Sequence, residues 1–396
     1  MVLGVLALFF GLLPGAPALA ATVQSIVIAD RQIVIRFDDV VTRAASFVLD
    51  GPRRIAVDVD GVTPGPTAEA SGPVERVRQG VRTSGSRIVF DMTDPAIVSS
   101  GSFSDDGRAL TLALRTVDPA SFAAASMVPP LDFWPFNRPA RARYKLSIPV
   151  PPPAHALPLP KVEGDDTRPL VVIDAGHGGI DPGAINRETG LREKDVTLKV
   201  ARAIRDALLA SGRVRVALTR DADRYLVLRE RYGIARRVKA DLFISIHCDS
   251  VGSEAASGAS VYTLSEVASD KEAARLAARE NKADVISGVD LGDAGADVSS
   301  ILIDLTQRET MNASAGFARL LGREARSLIP TKTNFHRMAS LMVLKAPDMP
   351  SILFETGYIS NSDDAAFLDS REGREKIAES VSRAVGVHFA RRMAAR

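Results

Sequence analysis

Two histidines and a glutamate beyond Pro169 of this 396-residue chain stand where short apolar runs end. The run at 170–174 leads into Ala175-Gly176-His177-Gly178-Gly179, that at 242–246 into His247-Cys248-Asp249, and that at 352–354 into Glu355-Thr356-Gly357. In open α/β sheets ligands gather beyond the carboxyl ends of strands, so three such ends deliver two imidazoles and a carboxylate to one rim. The chemistry that suits this set is metal-assisted hydrolysis. Two imidazoles and one carboxylate hold zinc and leave a position open for water, whose pKa then falls from about 15.7 towards about 7. His177 and His247 supply the imidazoles; Glu193, opening the helical run after the glycine turn, is well placed as the third ligand, with Glu188 and Asp181 as rivals. Glu355 then remains as the base that takes a proton from water and returns it to a leaving amine. Singly, each residue has a plainer use: glycines for a tight turn, a hydrogen-bonded core histidine, a glutamate at a helix cap or in an ion pair. The conjunction at matching strand ends carries the reading. Asp174 and Asp249, beside the histidines, either fix imidazole tautomers or are structural.

The elements that must position these groups alternate in type. After Pro169 come an apolar strand, a helix with Val196, Val200, Ile204 and Leu208 on one face, a strand at 214–219, a helix at 228–239 and a strand at 241–246. Further strands are expected at 259–264, 340–344 and 352–354, and an amphipathic helix at 373–389 closes the chain. This order specifies an α/β domain over 170–396, a mostly parallel sheet flanked by helices. Residues 22–116 instead alternate apolar and polar in short runs such as Gln32-Ile33-Val34-Ile35-Arg36-Phe37, which predicts a small all-β sandwich whose strands have one wet face. Between them, 117–169 is crowded with prolines and reads as a semi-extended linker.

Residues 1–20 read as a secretory signal: an apolar run, then Pro14, Gly15 and Pro17, then Ala18-Leu19-Ala20 with small residues at the cleavage positions. The run falls short of the ~20 residues that span a bilayer, and no Lys or Arg precedes it. The expectation is an exported chain with no stable membrane insertion after cleavage. A formal charge of +2, with 25% charged and 46% apolar residues, excludes a disordered chain and a polycation for nucleic acid. The single cysteine, Cys248, rules out an intramolecular disulfide.

The blocks Val172-Ile173-Asp174-Ala175-Gly176-His177-Gly178-Gly179-Ile180-Asp181-Pro182-Gly183-Ala184, Glu193-Lys194-Asp195-Val196, Leu218-Thr219-Arg220, 240–247 and 344–361 resemble the zinc N-acetylmuramoyl-L-alanine amidases of the periplasmic AmiC type. The likeness covers about 170–390, and 22–116 resembles, more weakly, the AMIN domain that precedes such catalytic domains and binds cell wall. The resemblance implies one Zn2+ held by His177, Glu193 and His247, Glu355 as catalytic glutamate, and peptidoglycan as substrate. The bond cut is the amide between N-acetylmuramic acid and L-alanine, in the periplasm, for wall remodelling and daughter-cell separation. Cys248 replaces an alanine common in the family and is expected to be a buried, inert thiol.

The long stretch 268–310 corresponds to an insert that division-linked amidases hold over the zinc until an activator, expected to carry a LytM-like domain, displaces it. Glu272 or Glu280 would fill the open metal position; alternatively both face solvent on an amphipathic helix. Two other functions fit the residues less well: a catalytically silent wall-binding scaffold, and a zinc peptidase acting on the stem peptide.

Overall fold

The computed structural model describes residues 21–29, 31–82, 84–126, 128–136, 158–251, 255–283 and 300–394, side chains of 300–309 and 394 excepted. The expected signal at 1–20 and part of the insert lie outside the described residues. Among the described residues no helix is long and apolar enough to cross a membrane.

The second domain is built on a six-stranded sheet of order β12-β11-β13-β16-β14-β15. Its strands are β11 (Leu170–Ala175), β12 (Arg215–Leu218), β13 (Leu242–Asp249), β14 (Ala259–Leu264), β15 (Thr331–Ala339) and β16 (Ser351–Tyr358). β11, β13 and β16 are buried at every position, because helices cover both faces of the sheet. Side chains alternate between these faces. Val171, Ile173 and Ala175 pack with Val200, Ile204 and Leu208 of α2 (Glu193–Ala210), whereas Leu170 and Val172 pack with Leu228 and Ala235 of α3 (Leu228–Arg237) and Leu276 of α4 (Lys271–Glu280). The helices α5 (Ser300–Ala325), α6 (Ser362–Asp369) and α7 (Arg371–Ala394) complete the layer on the α2 side. Each fully buried Val, Leu or Ile contributes about 1.5–3 kcal/mol, so these two apolar layers hold the sheet.

The sheet is mostly parallel, as expected, with one antiparallel pair: Ser260 of β14 stands opposite Glu355 of β16. On the other side β13 and β16 run parallel with His247 beside Glu355. The strand expected at 340–344 is instead a short 3-10 turn at Met342–Leu344, and the edge strand is β15. An edge strand tolerates exposed polar residues such as Thr333 and Asn334, so an apolar run does not mark it.

The first domain is a sandwich of two five-stranded sheets built from β1 (Ala21–Ala29), β2 (Gln32–Phe37), β3 (Ala44–Leu49), β4 (Arg54–Asp60), β5 (Val62–Thr63), β6 (Val74–Arg82), β7 (Gly85–Met92), β8 (Ala96–Phe103), β9 (Ala109–Thr116) and β10 (Leu131–Phe133). Their orders are β5-β1-β2-β9-β8 and β10-β3-β4-β7-β6. Ile33, Ile35, Ile55, Val57, Ile88, Phe90, Leu110 and Leu112 fill its interior. Part of the expected linker belongs to it, since Pro119–Ala125 is helix α1, capped by Asp118, and β10 (Leu131–Phe133) pairs with β3 (Ala44–Leu49). Nor do all the strands have a wet face. The outer side of the second sheet packs on the α/β domain, with Phe47, Leu49 and Ala56 against Met311. There Arg78 Nη1 donates to the carbonyls of Val267 and Ala268, each at 3.0 Å, and Arg76 Nη1 to that of Ser269 at 3.0 Å. Alternation reports one face per strand; what later covers the second face comes from sequence more than a hundred residues away.

Candidate metal centre

The site begins where β11 ends. His177 has a left-handed backbone, φ 59°, and is followed by Gly178 and Gly179 at φ 128° and 58°. A non-glycine residue in that region is strained by about 1–3 kcal/mol and needs a surround that holds it. Two buried arginines supply it. Arg231 donates from Nη1 to the Ala175 carbonyl at 2.7 Å and from Nη2 to that of His177 at 2.8 Å. Arg220 donates from Nε to Ala175 O at 2.9 Å and from Nη2 to Gly176 O at 2.8 Å. Asp174 neutralises Arg231 at 3.0 Å and accepts from Thr219 and Ser245, so it anchors the turn and touches neither imidazole's hydrogen-bonding nitrogens.

His177 Nδ1 bonds Asp181 Oδ2 at 2.8 Å, which leaves Nε2 as the lone-pair nitrogen pointing into the site. That Nε2 is buried and has no hydrogen-bond partner. His247, from the end of β13, presents Nδ1, and the two rings meet edge to face with centroids 4.9 Å apart. Glycine at 176 permits this approach, since a Cβ there would lie 2.5 Å from the His247 ring.

Glu193 is the first residue of α2, where the helix dipole favours a carboxylate. Its Oε1 lies 3.1 Å from His177 Nε2 and 3.2 Å from His247 Nδ1 and accepts from the Cys248 amide at 2.9 Å. Its Oε2 accepts from the Ala184 amide at 2.9 Å. Against the pull of burial, the two imidazoles and these bonds hold its carboxyl well below the usual range. Reciprocally, and again against burial, Glu193, Asp181 and Glu280 raise His177 to about 9, and Glu280 and Glu193 raise His247 to about 10. A cation-seeking cluster of this kind takes a metal or, failing that, protons.

Glu355 is fully buried with both carboxylate oxygens unpartnered. Burial, then the neighbouring carboxylates Asp249, Glu280 and Glu193, push its pKa well up, which is the environment of a general base. Cys248 is buried with its thiol pushed well up by burial and Glu193, and is inert.

The two helical carboxylates of α4 part company. Glu280 enters the site: its Oε2 lies 3.2 Å from His247 Nδ1 and 3.5 Å from His177 Nε2, and His177, His247 and Glu280 offer ligand atoms all within 4.8 Å of one another. Arg279 donates from Nε to Glu280 Oε1 at 3.0 Å and from Nη2 to Asp249 at 2.9 Å. Glu272 lies elsewhere, with Lys332, Arg337 and Tyr358. Of the rival ligands, Asp181 holds an imidazole and Glu188 is exposed. The sequence reading missed Arg220 and Arg231 as groups that shape the site, although Arg220 stands in one of its blocks, Leu218-Thr219-Arg220.

The donor set of two imidazole nitrogens and carboxylate oxygens is one that zinc accepts. Residues 171–386 match the family model described as N-acetylmuramoyl-L-alanine amidase. The chain is 36% identical over 241 residues to N-acetylmuramoyl-L-alanine amidase AmiC of Escherichia coli O6:H1, covering 60% of this chain and 57% of that protein. It is 36% identical to AmiA of Salmonella typhimurium over 58% of this chain and 79% of the relative. With AmiC of Neisseria meningitidis serogroup B the identity is 30% over 86% of this chain and 82% of the relative.

Proposed function

This chain belongs to the N-acetylmuramoyl-L-alanine amidase family and is a peptidoglycan amidase of the AmiC type, and from that premise we propose how it works. His177, Glu193 and His247 hold one Zn2+, and Glu355 is the proton carrier in hydrolysis of the amide between N-acetylmuramic acid and L-alanine. The observation that carries this is the approach of His177 Nε2 and His247 Nδ1 to one carboxylate oxygen of Glu193, at 3.1 and 3.2 Å, with an unpartnered Glu355 on the adjoining strand.

Zinc at this place supplies Lewis acidity, polarising the scissile carbonyl and lowering the pKa of water. The chain does the rest. Asp181 keeps the His177 proton on Nδ1, so that Nε2 is free to bind. Glu355, its proton affinity raised by burial and by Asp249, accepts the proton of the attacking water and delivers it to the departing amide nitrogen. Glu193 is held ionised against burial by the two imidazoles, with two amide donors on its oxygens, which suits a ligand and not a base.

Glu280, 3.2 Å from His247 Nδ1 and 3.5 Å from His177 Nε2, takes in this reading the position that water and substrate need, and α4 leaves for turnover. An activator with a LytM-like domain is the expected cause of that departure. The protein acts in the periplasm after signal removal, with the first domain, AMIN-like, gripping the wall during division. Digestion of purified sacculi with the Glu280→Ala chain tests the reading: free stem peptides and naked glycan strands support it, whereas cut peptides on intact muramic acid would show a peptidase and no release a silent scaffold.

A further inference from the structure

The α4 helix puts a second carboxylate into a built polar site beside the metal centre. Glu272 accepts at Oε1 from the Tyr358 hydroxyl at 2.6 Å and from Lys332, and at Oε2 from Arg337 Nη1 at 2.7 Å. Lys332 Nζ also donates to Tyr358 Oη at 2.6 Å and sits 4.6 Å from the centre of the tyrosine ring. The three donors belong to the sheet: Lys332 and Arg337 to the edge strand β15, and Tyr358 to the end of β16, three residues past Glu355. Tyr358 stands beside Asp249 in the register of β13 and β16, just beyond the pair His247 and Glu355, so the donors adjoin the reaction centre.

Among the described residues, only α4 and its cap neutralise the two cations. Arg337 pairs with Asp270, the N-cap of α4, at 3.2 Å as well as with Glu272, and the Lys332 and Arg337 side chains are just 16% and 10% exposed. When α4 leaves, the two cations lose both counter-anions together, and two positive charges and the Tyr358 hydroxyl open to whatever anion enters. The same departure admits substrate.

We propose that Lys332, Arg337 and the Tyr358 hydroxyl form a substrate subsite for a free carboxylate of the stem peptide, which Glu272 fills in the closed state as Glu280 fills the metal position. Glu272 and Glu280 are eight residues apart in α4, a rise of about 12 Å. An extended peptide advances about 3.3–3.6 Å per residue, so the subsite takes a carboxylate roughly three to four residues from the scissile amide. The helix thus carries two acidic groups at the spacing of the substrate's reacting amide and a distal carboxylate. This inference rests on the amidase reading for its ligand.

The test uses the full chain opened by Glu272→Ala with Glu280→Ala. The probes are two muramoyl peptides alike except that one has a free carboxylate, and the other a carboxamide, three residues from the amide. The acid should show a KM about tenfold lower than the amide, the strength of a charge-assisted contact. Adding Lys332→Met and Arg337→Gln should raise KM for the acid alone, with kcat held within about twofold, and Lys332→Arg should restore the preference. Equal KM for acid and amide in the opened enzyme overturns the subsite, as does a preference that survives both substitutions. If neither peptide is cut, calorimetric binding to the Glu355→Gln form separates the questions: an acid preference there keeps the subsite while the amidase reading falls. Should the doubly substituted chain not fold, Tyr358→Phe alone is read the same way, with a smaller loss for the acid.

Discussion

The Glu280 carboxylate stands 3.2 Å from His247 Nδ1, on a helix that Arg279 ties to Asp249 at the end of the same strand as His247. A group so placed competes with water and substrate, and its removal shifts a closed population towards an open one. Glu280→Ala should therefore raise activator-free dye release from labelled sacculi by about 5- to 150-fold, the range of typical coupling energies. An unchanged basal rate would remove Glu280 as the plug.

Asp181 acts through His177 and touches no reacting atom. Replacing it with Asn leaves the fold but allows the wrong imidazole tautomer, and zinc affinity should fall about 10- to 100-fold in competition with a chromophoric chelator. An affinity within twofold of the parent chain would show that the 2.8 Å bond does not set the tautomer.

Arg220 is 1% exposed and donates to the carbonyls of Ala175, Gly176 and Lys194. Arg220→Ala removes three charge-assisted bonds, although Arg231 still serves Ala175 and Thr197 still serves Gly176 and Lys194, so urea unfolding should show a loss on the order of 3 kcal/mol. A loss below about 1 kcal/mol would mean that water replaces the guanidinium freely.

Two histidines outside the site set an acid limit on stability. Burial, then Arg54 and Arg319, lowers His336 to about 3, and burial with Arg392 lowers His388 to about 4. Because the folded values lie below the unfolded one near 6.5, the unfolded chain binds more protons once pH drops under that value. Their contribution is complete above about pH 6.5 and is lost as pH falls towards 4 and 3, at about 1.4 kcal/mol per pH unit for each. Denaturation at pH 7, 6 and 5 should trace this slope, and mutating His336 to Gln should reduce it; a slope unaltered by His336→Gln would show that other groups govern it.

Much of the site was legible because strand ends are legible. His177, His247 and Glu355 follow apolar runs that the sheet buries on both faces, and Glu193 opens the next helix. Helical periodicity put Glu272 and Glu280 on one helix but could not say what each end of it meets; Glu280 found the imidazoles and Glu272 the edge strand. Asp181 was weighed only as a rival ligand, since spacing does not distinguish a residue that binds metal from one that orients a ligand. Arg231 gave no signal, because its other partners are backbone carbonyls, which carry no side-chain signature, and its carboxylate partner Asp174 lies 57 residues away.

The central claim is that His177, Glu193 and His247 grip one zinc while Glu355 stays free to move protons. It is tested most directly by measuring bound zinc per chain together with amidase rate in the Glu280→Ala background, adding Glu193→Gln or Glu355→Gln. The account predicts that Glu193→Gln loses zinc, whereas Glu355→Gln keeps one zinc per chain and loses about 10²- to 10⁴-fold in rate. Full zinc occupancy without Glu193, or a Glu355→Gln rate within tenfold of the parent, would contradict it.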